Sequence, residues 1–590
     1  MPKQSHSPID NLITEHIDIW SSAIKRKSSS GRGSSKKIEL YGIKKLRELI
    51  LELAVRGKLV AQDPNDEPAS VLLERIAKEK AQLVKEGKIK KPKKLAEISD
   101  DEKPFELPEG WEWARIVELA EVGPRNLNIE DESSVSFIPM PLISTKLDGS
   151  HRSELKQWKD IKKGYTHFAD GDIAIAKITP CFENSKAAVF RNLESGVGAG
   201  TTELHVARPI PNTLNPQFVL LYLKAPMFLR VGETKMTGSA GQKRVPKDFF
   251  ALNPLPFAPL AEQNRIVTKV NELMALCDQL EAQTESSLDA HQTLVTVLLD
   301  TLVNSQNAEE LAENWTRISG HFDTLFTTGQ SIDQLKQTIL QLAVMGKLVP
   351  QDPNDEPASE LLKRIATKKE ELVKQKKIKK QKPLPPISDD EKPFQLPNGW
   401  EWCRLPEVGD LARGKSKHRP RNDPSLYIDG TVPLVQTGDV ARSNGEINTF
   451  SAQYNEMGLK QSQLWPKGTL CITIAANIAD TGILGFDACF PDSVVGFSVL
   501  DDRLSVNYFD YFIRTAKANL EKFAPSTAQK NINLEILISL LVPCPAVREH
   551  SLIVAKVDQL MAICDQLKAR LSEAQTTQLN LADALVEQAL

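Results

Sequence analysis

The feature that most constrains this chain is a stretch it contains twice. Leu53-Ala54-Val55-Arg56-Gly57-Lys58-Leu59-Val60, followed by Gln62-Asp63-Pro64-Asn65-Asp66-Glu67-Pro68-Ala69-Ser70, returns as Leu342-Ala343-Val344-Met345-Gly346-Lys347-Leu348-Val349, followed by Gln351-Asp352-Pro353-Asn354-Asp355-Glu356-Pro357-Ala358-Ser359. The offset is 289 (342 − 53), and it still holds at Trp111-Glu112-Trp113 against Trp400-Glu401-Trp402. Two near-identical frames enclose two inserts that look little alike. That order predicts a two-headed molecule on a shared scaffold. A chain of 590 residues also exceeds what one core supports, so several domains are expected.

Within each frame, Ile43, Leu46, Ile50 and Leu53, and again Ile332, Leu335, Ile339 and Leu342, follow the spacing of one face of an amphipathic helix. Gly57 and Gly346 are placed to stop these helices. After an Asp-Pro turn, Ala69-Ser70 leads into a second helix through Leu72, Leu73, Ile76 and Leu83. Its basic end, Lys88 to Lys94, matches Lys376 to Lys380; such a run serves as a solvated linker or as a strap on phosphates. Behind each insert comes a heptad helix. Ile266, Val270, Leu273, Cys277 and Leu280 form one a/d seam, and Ile553, Val557, Leu560, Cys564 and Leu567 form the other, so these helices should pair with others like them. Leu288, Val295, Leu299 and Leu302 follow the first seam.

The frames differ in one place. His16-Ile17-Asp18 matches His321-Phe322-Asp323 at an offset of 305, which exceeds 289 by 16 (305 − 289). The first copy therefore carries a 16-residue insertion, falling on the Ser/Gly/Lys run within residues 22–37. Its composition predicts a flexible linker. Either it is a tolerated surface insertion or it is a basic arm that touches DNA phosphates.

Both inserts open alike, with Lys103-Pro104-Phe105 running to Trp113 and Lys392-Pro393-Phe394 running to Trp402. The alternating tryptophans predict a first strand with its rings in a core, with base stacking as the lesser alternative. Strand-like runs (Gly171 to Ala176, Gly468 to Ile474) and helical ones (Pro216 to Leu223, Asn507 to Ala518) make each insert a mixed α/β domain. The expected division is 1–103, 104–258, 259–392, 393–545 and 546–590. A net charge of −3 gives no global field for nucleic acid, so any such contact must be local. The seven cysteines include no CxxC pair, no apolar run reaches ~18 residues, and the start has no signal-peptide core. Reduced thiols, a cytoplasmic location and no membrane contact are expected.

One motif tests this reading. Gly409-Asp410-Leu411-Ala412-Arg413-Gly414-Lys415-Ser416 matches GxxxxGK[ST], but a phosphate cradle needs a buried strand before it and a helix after it. Pro406 breaks the first, and Lys417-His418-Arg419-Pro420-Arg421 cannot begin the second. Arg413, Lys415, Ser416, Lys417, Arg419 and Arg421 read better as a basic loop able to neutralise phosphates and contact guanine edges. The first insert offers Lys177, Thr179 and Lys186 as weaker candidates. Ser239, Gln242, Lys243 and Arg244 line up with Ser526, Gln529 and Lys530 as a shared small-polar-then-basic loop, which is a backbone anchor or a turn of the fold. Catalytic signatures are missing. Asn253-Pro254-Leu255-Pro256 only resembles an amino-methyltransferase motif, Asp148, Glu154 and Lys156 only weakly suggest a nuclease, and the nine histidines form no HExxH. No catalytic residue, metal or cofactor is assigned to this chain.

The frame motifs, the Gly-Trp-Glu-Trp domain starts, the heptads and the two-insert layout together resemble the specificity subunits of type I restriction–modification systems, most of all the type IB, EcoAI-like group. The resemblance covers essentially the whole chain. It implies an α+β architecture with two target recognition domains, each reading half of a split site in double-stranded DNA. The repeated helices would form an antiparallel coiled coil with an internal pseudo-two-fold repeat. Two modification subunits, binding S-adenosylmethionine, would dock on that scaffold, and two restriction subunits, using ATP and Mg, would join them. The competing expectations are a coiled-coil adaptor with two protein-binding heads and a P-loop NTPase at Gly409 to Ser416.

Overall fold

The computed structural model describes residues 8–26, 38–89, 95–239, 241–378, 380, 383–418, 420–522 and 532–590. The chain divides into two units, Met1–Ser287 with Ala574–Leu590, and Leu288–Glu573. In the first unit the frame helix Tyr41–Val55 buries Ile43, Leu46, Ile50 and Leu53, as their spacing requires. It ends because Gly57 takes φ +68°, and a Cβ there would also lie 2.5 Å from Cγ of Pro108. The second unit repeats this in the helix Gly329–Val344, with Ile332, Leu335, Ile339 and Leu342 buried. Gly346 again has φ +68°, and its added Cβ would lie 2.5 Å from Cγ of Pro397. The helices Ala69–Lys85 and Ala358–Lys374 follow at matching places.

The two offsets found in the sequence hold as geometry. His16 (φ −120°, ψ 23°) and His321 (φ −122°, ψ 24°) precede the short helices Ile17–Ser22 and Phe322–Leu325 with almost the same backbone. The insertion in the first frame departs from a plain linker at its ends. Lys25–Arg26 pairs antiparallel with Ile38–Glu39, so backbone hydrogen bonds close its base. Residues 27–37 lie outside the described residues, as do Lys90 to Lys94 and Lys379 of the two basic runs.

Each insert is a mixed α/β domain closed by its own ends. Glu112–Arg115 pairs antiparallel with Pro254–Phe257, and Glu401–Arg404 does so with Leu541–Cys544. In the first domain one sheet runs Glu154–Gln157, Ser134–Ile138, Val197–Gly200, Thr166–Ala169, with its central pair parallel. The other runs Ala120–Val122, Leu204–Pro209, Ile173–Ala176, Ala187–Val189 and is antiparallel throughout. Ile138 and Phe168 from one sheet and Ala174, Ala188 and Val206 from the other share a core. The second domain has a five-stranded sheet (Gly409–Arg413, Val494–Val499, Leu470–Thr473, Thr481–Leu484, Glu446–Ile447) and a four-stranded one. The methyltransferase-like string Asn253 to Pro256 runs from the cap of the helix Lys247–Leu252 into the closing strand, where the Tyr222 hydroxyl donates to the Pro254 carbonyl (2.7 Å).

The heptad stretches lie in helices of 44 and 43 residues, Leu260–Val303 and Val547–Ala589, far longer than the five seam positions in each. Ile266, Val270, Leu273, Cys277, Ile553, Val557 and Cys564 are buried, while Leu280, Leu560 and Leu567 are half-buried. In the second unit Val295, Leu299 and Leu302 share a core with Leu335, Ile339, Ile553, Val557 and Cys564. The seam cysteines are packing groups, and burial raises both thiols above their ordinary pKa. Among the described residues no helix is long and apolar enough to cross a membrane.

A buried carboxylate ties these parts together in each unit. Glu262, in the first turn of its long helix, is 1% exposed. It accepts hydrogen bonds from the Trp111 indole (3.0 Å) and the Gln62 amide (3.2 Å), and the same amide donates to the Gly57 carbonyl (2.6 Å). Glu549, 2% exposed, repeats every contact, with Trp400 (2.7 Å) and Gln351 (3.1 Å), and Gln351 donates to the Gly346 carbonyl (2.6 Å). Frame loop, domain start and long helix thus meet at one polar knot.

Replacing Glu262 by Ala leaves the buried Trp111 indole without its acceptor, so the expected loss in chemical denaturation is ~1–3 kcal/mol. Burial pushes the Glu262 carboxyl above its ordinary range, against the pull of Trp111 and Gln62. A raised pKa means the neutral form is favoured in the fold, so its contribution is fully present below the unfolded value and is lost as pH rises through the folded one. Glu262→Gln keeps an acceptor and carries no charge. Its stability relative to the parent chain is therefore expected to improve as pH rises through that window.

Candidate nucleic-acid interface

In the first domain the structure joins two segments that look unrelated in sequence. Lys177 follows the strand Ile173–Ala176; its N–H donates to the Glu203 carbonyl (2.9 Å), and its carbonyl accepts from Val245 N (2.8 Å). Thr179 N donates to the Lys243 carbonyl (3.0 Å), and Arg244 bridges both Ile178 and Thr237. Lys177, Thr179, Lys243 and Arg244 therefore form one surface, with Ser239 and Gln242 exposed on its turn. The Arg244 guanidinium forks onto Glu203 (Nη2–Oε1 2.9 Å, Nε–Oε2 3.0 Å), which lowers the Glu203 carboxyl below its ordinary pKa. Lys186 is half-buried and donates to the Met140 carbonyl (3.0 Å), so its ammonium is already engaged.

Beside this surface lies a cleft of about 460 Å³ lined by Lys177 and by residues that sequence reasoning missed: Arg125, His167, Thr202, His205 and Lys247. They come from separate segments of the domain, and no spacing signal links them. Burial lowers both imidazoles' pKa. His205 Nε2 donates to the Val245 carbonyl (2.9 Å) and His167 Nε2 to the Lys162 carbonyl (3.0 Å). Asp148 accepts from Ser150 N in its own turn, and the Lys156 ammonium stands 3.8 Å from the Phe137 ring centroid; Glu154 lies on the same strand as Lys156.

In the second domain Gly409–Arg413 is a strand, and no helix follows it through Ser416. Gly414 is required by packing, since a Cβ there would lie 2.4 Å from the Pro491 carbonyl oxygen. The GxxxxGK[ST] match is therefore not a phosphate cradle. The basic loop is also less free than its composition suggests. Arg413 donates to the Asp492 carbonyl, and Arg421 forks onto the Asp492 carboxylate (2.6 and 2.7 Å). Gln461 accepts from Lys417 N (2.7 Å) and His418 N (3.1 Å). His418 pairs with Asp423 (2.8 Å), whose carboxyl is held down to about 2, first by the Ser425 N–H. Ser416 is buried, and the Lys415 and Lys417 side chains have no ion pair among the described residues. Arg419, Ser526, Gln529 and Lys530 lie outside the described residues. The flank of that last loop keeps its place, because Ile532 N donates to the Ile474 carbonyl (2.9 Å) as Val245 N does to Lys177.

Comparison with known proteins gives these domains a context. The family model for the type I restriction modification DNA specificity domain matches residues 108–290 and 397–575. The chain is 54% identical over 596 residues to the type I restriction enzyme EcoEI specificity subunit of Escherichia coli, covering 99% of this chain and 100% of that one. It is 53% identical over 596 residues to the EcoAI specificity subunit of Escherichia coli, at the same coverage. Among solved structures, it resembles the HsdS subunit from Thermoanaerobacter tengcongensis at 18% identity and a TM-score of 0.44, covering 82% of this chain and 98% of that one.

Gly414→Ala is expected to destabilise the second domain by ~1–3 kcal/mol in thermal unfolding, because the added methyl meets backbone. Lys415→Ala, which a P-loop would not tolerate, should leave unfolding unchanged.

Proposed function

The chain belongs to the specificity subunits of type I restriction–modification systems, and from that premise we propose how its parts divide the work. Residues 104–258 and 393–545 each read one half of a bipartite site in double-stranded DNA. Residues 1–103, 259–392 and 546–590 supply the frame, whose long helices run as an antiparallel coiled coil with a pseudo-two-fold repeat and set the distance between the halves. The chain itself is not an enzyme. Adenine methylation and ATP-dependent cleavage belong to partner subunits, which hold the S-adenosylmethionine, ATP and Mg, and the complex works in the cytoplasm.

One observation carries this reading: the same carboxylate knot holds both inserts, while the surfaces they present differ. Glu262 with Trp111 and Gln62 matches Glu549 with Trp400 and Gln351. Yet Lys177 in one domain stands where Ile474 stands in the other. A retained mount with changed contents is what independent reading of two half-sites requires.

The frame also supports docking of one partner twice. Leu276 and Ile563, at an offset of 287 (563 − 276), are 53% and 45% exposed. Leu294 and Leu581, at the same offset (581 − 294), are 51% and 41% exposed. Exposed apolar side chains kept at matching positions suit an interface better than a free surface. These positions receive the two modification subunits, and two restriction subunits join the assembled complex.

Exchanging residues 104–258 for the corresponding insert of another such subunit should change one half of the methylated motif and leave the other half and the gap intact. A change in both halves would contradict independent reading. Leu276→Glu is expected to reduce the modification subunits bound per chain from two to one, and Leu276→Glu with Ile563→Glu to abolish binding, as read by native mass spectrometry.

A further inference from the structure

The cleft in the first domain holds cations that its fold does not need. Two of them have a counterpart in the second domain at the same structural position. Lys177 and Ile474 both accept from the strand-flanking N–H of Val245 or Ile532. Lys247 and Leu534 each open a six-residue helix, Lys247–Leu252 and Leu534–Ser539. Arg125 lies three residues beyond the strand Ala120–Val122, where in the second domain the longer strand Gly409–Arg413 runs directly into Gly414. Two cations in one domain thus become isoleucine and leucine in the other, and the local fold is kept.

The anions nearby are already taken. Glu203 is held by the Arg244 fork, and Asp172 by Arg208 (2.8 Å). The cations make only long contacts to carbonyls, Arg125 to Tyr165 (3.5 Å) and Lys247 to Val122 (3.5 Å), and Lys177 has no ion pair among the described residues. Burial holds His167 and His205 neutral near neutral pH, and both Nε2 donors are spent on carbonyls, so the rings form wall rather than charge. Lys177 also feels the Glu203 carboxylate, but cations without an ion pair on concave walls focus a positive field into the opening. At about 460 Å³ the cleft admits a single phosphodiester unit and not a duplex. Flexible ammonium groups act as point charges for phosphate, whereas base edges are read by planar forks or amides.

We propose that this cleft takes one backbone phosphate of duplex DNA, with Lys177 and Lys247 as its principal ligands and Arg125 at the rim. The first recognition domain is then anchored by a contact that reads no sequence, and the second domain lacks that contact. This rests on the DNA-reading assignment above.

The test uses the full chain assembled with its modification subunits and carrying Lys177→Ile and Lys247→Leu, the residues that the second domain tolerates at these positions. Affinity for duplexes with and without the methylated motif is measured against salt. The slope of log K against log salt is expected to fall by about 0.9, the share of one phosphate, with equal weakening for both duplexes and an unchanged motif. An unchanged slope, or a loss confined to the duplex with the motif, would overturn the phosphate assignment. Lys177→Gln with Lys247→Gln, made in parallel, must show the same slope change if the charge and not the fold is responsible. A parent complex that prefers no sequence would instead overturn the DNA-reading assignment itself.

Discussion

The arrangement depends on a carboxylate buried at the start of each long helix. Glu262 and Glu549 sit where frame loop, domain entry strand and long helix converge, and each accepts from a buried indole and from an amide that also donates to the carbonyl of the helix-stopping glycine. A buried charge is costly to hold, and burial raises both carboxyls accordingly. The cost is offset only when both donors are in place, so the knot closes in one geometry. That gives each recognition domain a defined orientation on its helix. A purely apolar junction would specify that orientation less sharply.

Much of this was legible from the residues. Helical spacing in the frames, the glycine stops, the heptad seams and the change of offset at the insertion are all local patterns, and the backbone follows them. The alternating tryptophans of the two domain starts predict core groups, and Trp111 and Trp400 are core groups, with ring centroids 5.9 Å from Phe218 and 6.4 Å from Tyr508. Their partners Glu262 and Glu549 carry no such signal, because a glutamate in the first turn of a helix looks like ordinary dipole compensation. Only tertiary contact makes it a knot.

The candidate interfaces were less legible for the same reason. The residues of the first domain's cleft come from distant segments, and only sheet topology brings Arg125, Lys177 and Lys247 to one opening. In the second domain, composition overstated the free charge. Arg413 and Arg421 are only eight positions apart (421 − 413), but both turn onto Asp492, in the link between two strands of different sheets far along the chain. Sequence counts charges; the fold decides which of them still face outward. The two domains consequently present different electrostatic surfaces although each is closed by the same kind of end-strand pair.

Genome-wide mapping of methylated adenines, in cells carrying this chain with its modification partner, tests the central claim most directly. The account predicts one bipartite motif, with two different half-sites separated by a fixed gap and one modified adenine in each half. A palindromic motif, a contiguous one, or a gap that varies from site to site would contradict it.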